Sequence, residues 1–386
     1  MILKFKQMTT ACTLAVMLIT SAAAEVILTP TEIDQTLAHG PWPMKSAADP
    51  SNRVSGNPSA ISMGKDLFSD PLLSRDGSMS CATCHDPKRD FSDAEPRAKG
   101  RILLDRNTPS LNNLRAHRWF GWGGTSDTIW GQSILPILNP DELNNDGENL
   151  KRSLQSSVFA EPYETLFGTL ADQPPQHVLV NVAKALGAYQ ETITTGQTSF
   201  DRFRDALESG DMKAASAYPE PAQRGLQIFL GRGRCVFCHS GPAFTNAEFH
   251  DVAIPYFIEP GRVDGGRHAG LKQLLNSPYT LDGAFNDDPK KAGAWALRNV
   301  RSNHANFGIF RVPSLRGASR TAPYMHDGSI ADLEAVVAHY NQINTERLHA
   351  DGEAILEPLE LNTGQVGDLV KFLHTLGDDR ETASTD

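Results

Sequence analysis

The sequence predicts a mainly α-helical protein built from two similar domains, and three observations carry that prediction. The motif Cys-x-x-Cys-His occurs twice, as CATCH at 81–85 and as CVFCH at 235–239. An apolar segment with helical spacing leads into each motif, whereas the apolar–polar alternation of a β-strand is scarce. The chain is also long enough for about two to three domains of ordinary size.

The N-terminus has the pattern of a secretory signal. Lys4 and Lys6 precede the apolar run TLAVMLIT, and three alanines at 22–24 stand before Glu25. A charged start, a short apolar core and small residues at the end are typical of a segment that is cleaved on export. We therefore expect residues 1–24 to be removed and the mature protein to be periplasmic. No later stretch approaches the roughly 20 apolar residues of a membrane helix, so no membrane span is expected.

The charge balance of the chain is acidic. It carries 36 Lys and Arg against 46 Asp and Glu, a formal charge of −10 that becomes −12 when the signal is removed. This sign of charge argues against nucleic acid as a partner. It is compatible with simple solubility and with a basic protein partner, and both interpretations stay open.

The cysteines point to covalently bound haem. Cys12 leaves with the signal. The remaining cysteines all lie within the two motifs: Cys81, Cys84, Cys235 and Cys238. Pairs of this spacing are also compatible with disulfides, redox exchange or zinc binding. The histidine after each pair, His85 or His239, favours c-type haem, because attachment needs two cysteines one helical turn apart and a histidine that reaches the iron. The sequence thus predicts two covalently bound haems c with these histidines as iron ligands.

The other segments are arranged around the two motifs. Residues 25–55 are rich in Pro and Ser and are expected to form an extended arm. A helix predicted at 177–195 belongs to an N-terminal domain, 56–210, which holds the first motif. A C-terminal domain, 211–386, repeats the order of helix and motif. It contains a Gly-, Asp- and Asn-rich insertion or lid at 256–306, followed by two closing helices.

Further blocks resemble the bacterial di-haem cytochrome c peroxidase and MauG family. They are FSD at 91–93, RNTPSL at 106–111 and RVPSLRGASRTAPYMHDGSIADLEAVVAHYN at 311–341. The resemblance covers essentially the whole mature chain, and it implies two class I cytochrome-c-like domains with the haems at or near their interface. It also implies a calcium ion, whose ligands fall on the side chain of Asn107 and the carbonyls of Thr321 and Pro323. Oxygen donors of this kind suit a hard cation.

The resemblance bears on the open face of the second haem. The peroxidases have a methionine in the helix after the PYxHDG block, whereas MauG has a tyrosine seventeen residues after the TxP proline. Counting from Pro323 gives Tyr340. A phenolate stabilises oxidised iron, whereas a thioether favours the reduced state. Tyr340 is the expected ligand, with a core aromatic as the alternative, and Met325 is expected to pack.

The loop that follows the first motif contains no histidine to close the first haem. We therefore expect an iron open to hydrogen peroxide, with His117 as the nearest alternative ligand. The stretch WGGTSDTIWGQSILPILNPDE matches the spacing of MauG, which places Trp122 between the haems and Gln132, Pro136 and Glu142 in the peroxide pocket. There an amide and a carboxylate assist proton movement between the two peroxide oxygens.

Two departures from the family pattern concern the partner. The family's WDGR is WGGT here, and Gly233 replaces the tryptophan that passes electrons from the protein substrate of MauG. This argues against the methylamine dehydrogenase precursor as substrate. The WGGTSD segment resembles MbnH, a MauG relative of methanobactin pathways that oxidises a tryptophan of a partner protein. Electrons would then travel by another route, through Trp119, Trp130 or Trp295.

The function that the resemblance implies is peroxide-dependent oxidation of a partner protein. Hydrogen peroxide would raise the haems to a high-valent di-haem state, which takes electrons from a Trp or Tyr of the partner. A second hypothesis is a peroxidase that removes peroxide with electrons from a small c-type cytochrome or cupredoxin, after prior reduction of the second haem. A third is a di-haem electron carrier, which requires both irons to be six-coordinate.

Overall fold

The structure is a computed structural model that describes residues 25–348 and 355–377. The expected signal at 1–24 lies outside the described residues. Within them the chain is mainly helical, as predicted. The helices are α1 (Pro30–Leu37), α2 (Pro58–Ser69), α3 (Cys81–Cys84), α4 (Ile129–Leu138), α5 (Gly147–Gln155), α6 (Ala160–Phe167), α7 (Pro175–Gln190), α8 (Ser199–Ser209), α9 (Met212–Ala215), α10 (Glu220–Leu230), α11 (Gly266–Leu275), α12 (Trp295–Asn299), α13 (Leu333–Asn341) and α14 (Thr363–His374).

Strands are few and short. The described residues form β1 (Phe249–His250), β2 (Phe257–Glu259), β3 (Arg262–Val263) and β4 (Phe310–Arg311). They make two antiparallel pairs, β1 with β4 and β2 with β3. Across the part of the chain that is described, no helix has the length and apolar character to cross a membrane.

The first large core surrounds α7. Helix α2 crosses α7 at Gly64, where a Cβ would lie 2.0 Å from the carbonyl oxygen of Ala185. Trp130 and Ile134 of α4 pack on the same buried helix. The helix was predicted at 177–195 and ends at Gln190. The β-branched run that follows, Thr-Ile-Thr-Thr, explains the early end because such residues lose side-chain freedom in a helix.

The second large core repeats this crossing of helices. Helix α10 crosses α14 at Gly225, where a Cβ would lie 2.0 Å from the carbonyl oxygen of Asp368. Phe229 of α10 and Phe372 of α14 meet at a ring-centroid distance of 5.0 Å. Helices α2 and α10 each lead into one of the two Cys-x-x-Cys-His motifs. Both motifs are therefore held by a pair of helices in glycine-mediated contact.

The N-terminal segment packs on the second core and is not extended throughout. It contains α1, because Pro30 occupies the first turn and Thr29 forms a capping box with Glu32. Leu28 joins the second core, as does Phe200 of α8. Composition alone suggested an extended arm, whereas the local start signals of a helix decide the conformation.

The insertion at 256–306 contains β2, β3, α11 and α12. It is tied to the RNTPSL block by an ion pair in which Arg106 donates to both carboxylate oxygens of Asp264, at 2.6 and 2.5 Å. Helices α11 and α12 bury Leu271 and Leu297 in a small cluster with Trp119. The insertion is thus packed on the region around Trp119 and Trp122.

Candidate active site

The first motif forms one helical turn that fixes a histidine. Helix α3 contains both cysteines, and the next residue, His85, places its ring Nδ1 3.0 Å from the carbonyl oxygen of Phe91. This hydrogen bond occupies Nδ1 and leaves Nε2 to bind a metal. Burial lowers the pKa of His85, so its ring is neutral and can act as a ligand.

The second motif has the same arrangement. Cys235–Phe237 form a 3-10 turn, and His239 Nδ1 lies 3.0 Å from the carbonyl oxygen of Phe244. Burial lowers the pKa of His239 to about 4. Its Nε2 is therefore an unprotonated donor for a metal, as in the first motif.

The serine of a Pro-Ser-Leu block stabilises the backbone segment that holds each histidine. Ser110 Oγ donates to the carbonyl of Asp90 at 2.6 Å, and Ser314 Oγ donates to the carbonyl of Ala243 at 2.7 Å. Each accepting carbonyl belongs to the residue just before the phenylalanine that holds the histidine. This internal repeat was missed from the sequence, although RNTPSL and RVPSLR show it plainly.

A cavity of ≈ 1210 Å³ opens beside the second motif, and Cys235, Cys238 and His239 line its wall. Neither of these cysteines forms a disulfide within the described residues, and burial raises the pKa of Cys235 to about 12. At the first motif burial likewise raises the pKa of Cys81 to about 12. Two neutral thiols and a neutral imidazole at each motif fit the attachment of a haem c.

Tyr340 faces the cavity of the second motif. Leu333 and Val337 lie on the same side of α13 and are buried in the second core. Burial raises the pKa of the Tyr340 phenol, and the two cysteines of the motif are close enough to add to this effect. The neighbouring His339 is held elsewhere, with Nε2 2.7 Å from the carbonyl oxygen of Val252.

The segment of Asn107 meets the segment that carries Thr321 and Pro323, the other two expected calcium ligands. The N–H of Asn107 donates to the carbonyl of His326 at 2.8 Å, and its Nδ2 donates to Glu95 O at 2.8 Å. In the described part of the chain, Asn107 Oδ1 and the carbonyls of Thr321 and Pro323 accept no hydrogen bond from the protein. Three neutral oxygens with unused lone pairs fit a hard cation.

Helix α4 and the turn after it carry the residues expected in the peroxide pocket. Gln132 Oε1 accepts a hydrogen bond from Thr125 Oγ1 at 3.0 Å. Pro136 lies within α4, and its carbonyl accepts from the N–H of Leu143 at 3.1 Å. This bond holds the turn that carries Glu142 close to the end of α4.

Glu142 lies close to the first motif. Its Oε2 accepts from Asn139 Nδ2 at 2.6 Å. Burial raises the pKa of Glu142. Burial also raises the pKa of the Cys84 thiol to about 11, and the charge of Glu142 contributes to that increase. A half-buried carboxyl with a raised pKa beside the cysteines of the first motif is suited to proton transfer.

Trp122, predicted to lie between the haems, is held by two hydrogen bonds. Its Nε1 donates to Asn107 O at 2.9 Å, and its carbonyl accepts from the N–H of Arg311 at 2.9 Å. The ring lines the cavity of the second motif. The preceding residue, Gly121, faces the side-chain amide of Gln132, since a Cβ there would lie 3.4 Å from Oε1.

The glycines of WGGT make room for a buried arginine that was missed from the sequence. A Cβ on Gly124 would lie 2.2 Å from the guanidinium of Arg267. Arg267 donates to the carbonyl of Gly124 at 2.8 Å and stacks on the rings of Trp119 and Phe249, at 4.4 and 4.2 Å. Arg267 comes from α11, so only the packing of the insertion reveals it.

A second missed residue, Arg311, determines the environment of His117. Arg311 Nη1 lies 2.8 Å from His117 Nδ1. Burial, with the charge of Arg311, lowers the pKa of His117 well below its usual value, so the imidazole is neutral. Both residues line the cavity of the second motif. Sequence offers no signal for this pair, because 194 positions separate its members.

The chain is similar to known proteins along most of its length. The family model for the di-haem cytochrome c peroxidases matches residues 58–209. The methylamine utilization protein MauG of Methylorubrum extorquens is 34% identical over 322 residues, which are 83% of this chain and 78% of the relative. The cytochrome-c peroxidase IdrP2 of Pseudomonas sp. (strain SCT) is 31% identical over 339 residues, 84% of this chain and 83% of the relative.

Solved structures show the same fold. A MauG-like protein associated with microbial copper homeostasis has a TM-score of 0.64 at 23% identity and covers 90% of this chain and 98% of its own. The diheme peroxidase BthA of Burkholderia thailandensis has a TM-score of 0.67 at 23% identity, covering 87% and 90%. A di-haem family implies two haems c, in agreement with the doubled motif. The chain therefore belongs to the di-haem cytochrome c peroxidase and MauG family, and it is an enzyme of the haem peroxidase class.

Proposed function

We propose that this protein is a periplasmic, MauG-like peroxidase that uses hydrogen peroxide to oxidise Trp or Tyr side chains of a partner protein. The observation that carries the proposal is Tyr340, which lines the cavity of the second motif while His339 is turned to the backbone. An anionic phenolate stabilises oxidised iron, so such a site retains oxidising equivalents for a protein substrate. The 34% identity to a MauG protein over 83% of the chain supports the same conclusion.

We assign the haem-holding residues from the two motifs and the cavity wall. The first haem is held by Cys81, Cys84 and His85, and the second by Cys235, Cys238, His239 and Tyr340. When bound, the haems supply the redox chemistry: each hydrogen peroxide takes up two electrons and two protons and leaves as two water molecules. The two electrons come from the aromatic side chain of the partner, which is oxidised.

Glu142 and Gln132 handle the proton at the first site. The raised pKa of Glu142 suits a group that accepts the peroxide proton and returns it to the departing oxygen. Thr125 occupies Oε1 of Gln132, which leaves the Nε2 group of Gln132 to donate to peroxide. Pro136, one helical turn beyond Gln132 in α4, is assigned to the wall of the same pocket.

Trp122 lies on the path of electrons between the two sites. The hydrogen bond from its Nε1 to the Asn107 carbonyl fixes the indole ring. The same asparagine is the proposed side-chain ligand of a calcium ion, with the carbonyls of Thr321 and Pro323. Calcium would thus stabilise the position of the ring as well as the loop at 321–326.

A cytochrome c peroxidase is the second candidate function. Met325 lines the same cavity as Tyr340, and the IdrP2 peroxidase is 31% identical over 84% of this chain. A thioether ligand would favour a reduced second haem that stores one electron from a small c-type cytochrome or cupredoxin. The two functions thus differ in whether one haem must be reduced before peroxide reacts.

Stopped-flow mixing tests this difference. Fully oxidised protein and protein reduced by one electron are each mixed with one equivalent of hydrogen peroxide, and peroxide loss is followed. We expect the oxidised form to react at least as fast as the half-reduced form. A reaction confined to the half-reduced form, followed by rapid turnover with a reduced cytochrome, would favour the second candidate.

A further inference from the structure

A basic segment, preceded by Asp287 and Asp288, lies on the surface of this acidic chain. Residues 289–304, in the insertion, contain Lys290, Lys291, Arg298 and Arg301 and no Asp or Glu, whereas the whole chain has a formal charge of −10. Lys290, Arg298 and Arg301 are exposed. Arg298 pairs with Asp282 at 2.6 Å and Asp288 lies beside Lys290, so the positive excess of the segment comes from Lys291 and Arg301. We call this segment, with the nearby Arg118, the basic strip.

An exposed tryptophan stands within the basic strip. The side chain of Trp295 is 57% exposed, and the guanidinium of Arg118 lies 5.0 Å from the centre of its ring. Tryptophan and arginine are the residues most enriched at the energetic centres of protein interfaces. A large indole left in water, with a cation stacked on it, is therefore the expected centre of a contact surface.

The basic strip is continuous with the active site. Trp295 lines the cavity of the second motif, as do Trp119 and Trp122. The residue after Trp295, Ala296, packs against Trp119 in the small cluster formed by the insertion. Trp130, by contrast, is 1% exposed and donates a hydrogen bond to Ser51 Oγ, so a bound protein could not contact it. A protein bound on the strip would touch the outer wall of the cavity that holds the second motif.

We propose that the basic strip is the docking surface for a protein partner with an acidic patch, and that Trp295 is its central contact. This rests on the proposed function, because the docking surface would bind the partner protein that the enzyme oxidises. Net charge alone would favour a basic partner, but charges act over only about 8 Å at physiological ionic strength. The local excess of positive charge in the strip therefore decides which partner is attracted.

Binding of two purified redox proteins to the holoenzyme tests the proposal. Plastocyanin serves as an acidic cupredoxin and mitochondrial cytochrome c as a basic probe, and dissociation constants are measured by isothermal titration at low and physiological ionic strength. We expect plastocyanin to bind more tightly than cytochrome c. We also expect its affinity to fall as salt is added, because exposed charges are screened.

Variants locate the binding surface. The double variant Lys290→Glu with Lys291→Glu should weaken plastocyanin binding by about tenfold or more at low salt. Trp295→Ala should weaken it by about tenfold or more through loss of the central contact. The matched control is Lys65→Glu with Lys213→Glu, two exposed lysines outside the strip whose reversal gives the same change in net charge. This control should leave the affinity unchanged.

Several results would overturn the docking surface. Equal weakening of plastocyanin binding by the two double variants would mean that only the net charge of the enzyme matters. Tighter binding of cytochrome c than of plastocyanin would mean that the partner's contact surface is basic and not acidic. Self-association of the wild type that the strip variant abolishes would assign the surface to a second copy of this chain. Peroxide loss with a small-molecule donor is measured on the wild type in parallel. If that reaction fails, the proposed function fails, whatever the binding result.

Discussion

Glu142 and Tyr340 are half-buried residues in which the same physical cause has different consequences. Burial raises the pKa of both, because a charge is less stable away from water. For the carboxyl of Glu142 this brings proton exchange closer to working pH. The raised pKa of Tyr340 means that its phenol stays protonated unless a strong electrophile such as oxidised iron stabilises the phenolate. Each site thus has one group whose protonation depends on its burial.

The first prediction concerns the pH dependence of the peroxide reaction. Glu142 accepts a proton only when ionised, so the rate should fall as the pH drops through its pKa, which lies above the ordinary value. Glu142→Gln should slow the reaction by about 10²- to 10⁴-fold and remove this pH dependence. Stopped-flow rates across a pH series provide the measurement.

The exposed Glu148, six residues along the chain, provides the control. Glu148→Gln should keep both the rate and the pH profile of the wild type. A Glu142→Gln variant that retains the wild-type profile would show that a different group exchanges the proton.

The second prediction concerns the second haem. Tyr340→Met should raise its reduction potential by on the order of 100 mV, because a thioether favours reduced iron and a phenolate favours oxidised iron. Potentiometric titration of the two haems measures the shift. Tyr256→Phe, at a half-buried tyrosine outside the site, should leave both potentials as they are. An unchanged potential in Tyr340→Met would mean that Tyr340 is only a packing residue.

Among individual residues, those that belong to short motifs could be predicted from the sequence, whereas those that act through packing could not. The two Cys-x-x-Cys-His motifs carry their own spacing, so their haem chemistry could be inferred directly. Arg311 and Arg267 have no local signature. Their importance comes from burial beside His117 and Trp119, which arises only when distant segments meet.

At the scale of elements, the two helix crossings explain how each motif is held. Gly64 and Gly225 permit backbone contact with the partner helix, and each stands three residues before an aliphatic residue and four before a phenylalanine. The same Pro-Ser-Leu block then supports each histidine. The two halves of the chain therefore use one local design twice, which supports the prediction of two cytochrome-c-like domains.

The third prediction follows from the contact at Gly225. A Cβ would overlap the backbone of α14, so Gly225→Ala should destabilise the holoprotein by about 1–3 kcal/mol. Gly367 also lies in a helix, α14, but a Cβ there would meet no atom within 4 Å, so Gly367→Ala should stabilise the protein by about 0.5–1 kcal/mol. Chemical unfolding of the wild type and the two variants measures the difference. Destabilisation of equal size in both variants would contradict the account.

Element boundaries were predicted less well than element types. The chain at 25–55 was predicted as an extended arm because of its Pro and Ser content, and the helix α1 within it was missed. The signal was present, since Thr29, Pro30 and Glu32 are the start pattern of a helix. Helix α7 was found, but its end was placed five residues too late.

At the scale of the whole molecule, ion pairs join the surroundings of the two motifs. Asp90, in the loop that supports His85, accepts from Arg320 at 2.5 and 2.8 Å. Arg320 immediately precedes the proposed calcium ligand Thr321. The support of the first histidine and the calcium loop are therefore mechanically connected, and a change in one should reach the other.

The fourth prediction concerns calcium. A chelator should lower the melting temperature of the holoprotein, and added Ca²⁺ should restore it, because a ligand at a hundred times its Kd contributes about 2.7 kcal/mol. Mg²⁺ should restore it poorly, since it demands a stricter geometry. Asn107→Ala should no longer respond to calcium, whereas Asn276→Ala, at an exposed site, should respond as the wild type does. A response retained in Asn107→Ala would place the ion elsewhere.

The relation between distant parts was the least predictable level. Residues 256–306 were expected to be an insertion or lid, but nothing in the segment indicates that it packs on Trp119 or that it places its basic residues beside the cavity of the second motif. That placement depends on the Arg106–Asp264 ion pair and on the close approach of Gly270 to Gly123. Both contacts join residues more than a hundred positions apart.

We propose that the two haems share the oxidising equivalents of hydrogen peroxide, and one absorption spectrum tests this sharing. One equivalent of hydrogen peroxide is added to the fully oxidised protein, and absorption is recorded from the visible to the near infrared. We predict a prompt near-infrared band from charge shared between the haems, without prior reduction. The absence of this band, with peroxide turnover only after one-electron reduction, would rule out sharing between the haems and identify a peroxide-removing cytochrome c peroxidase.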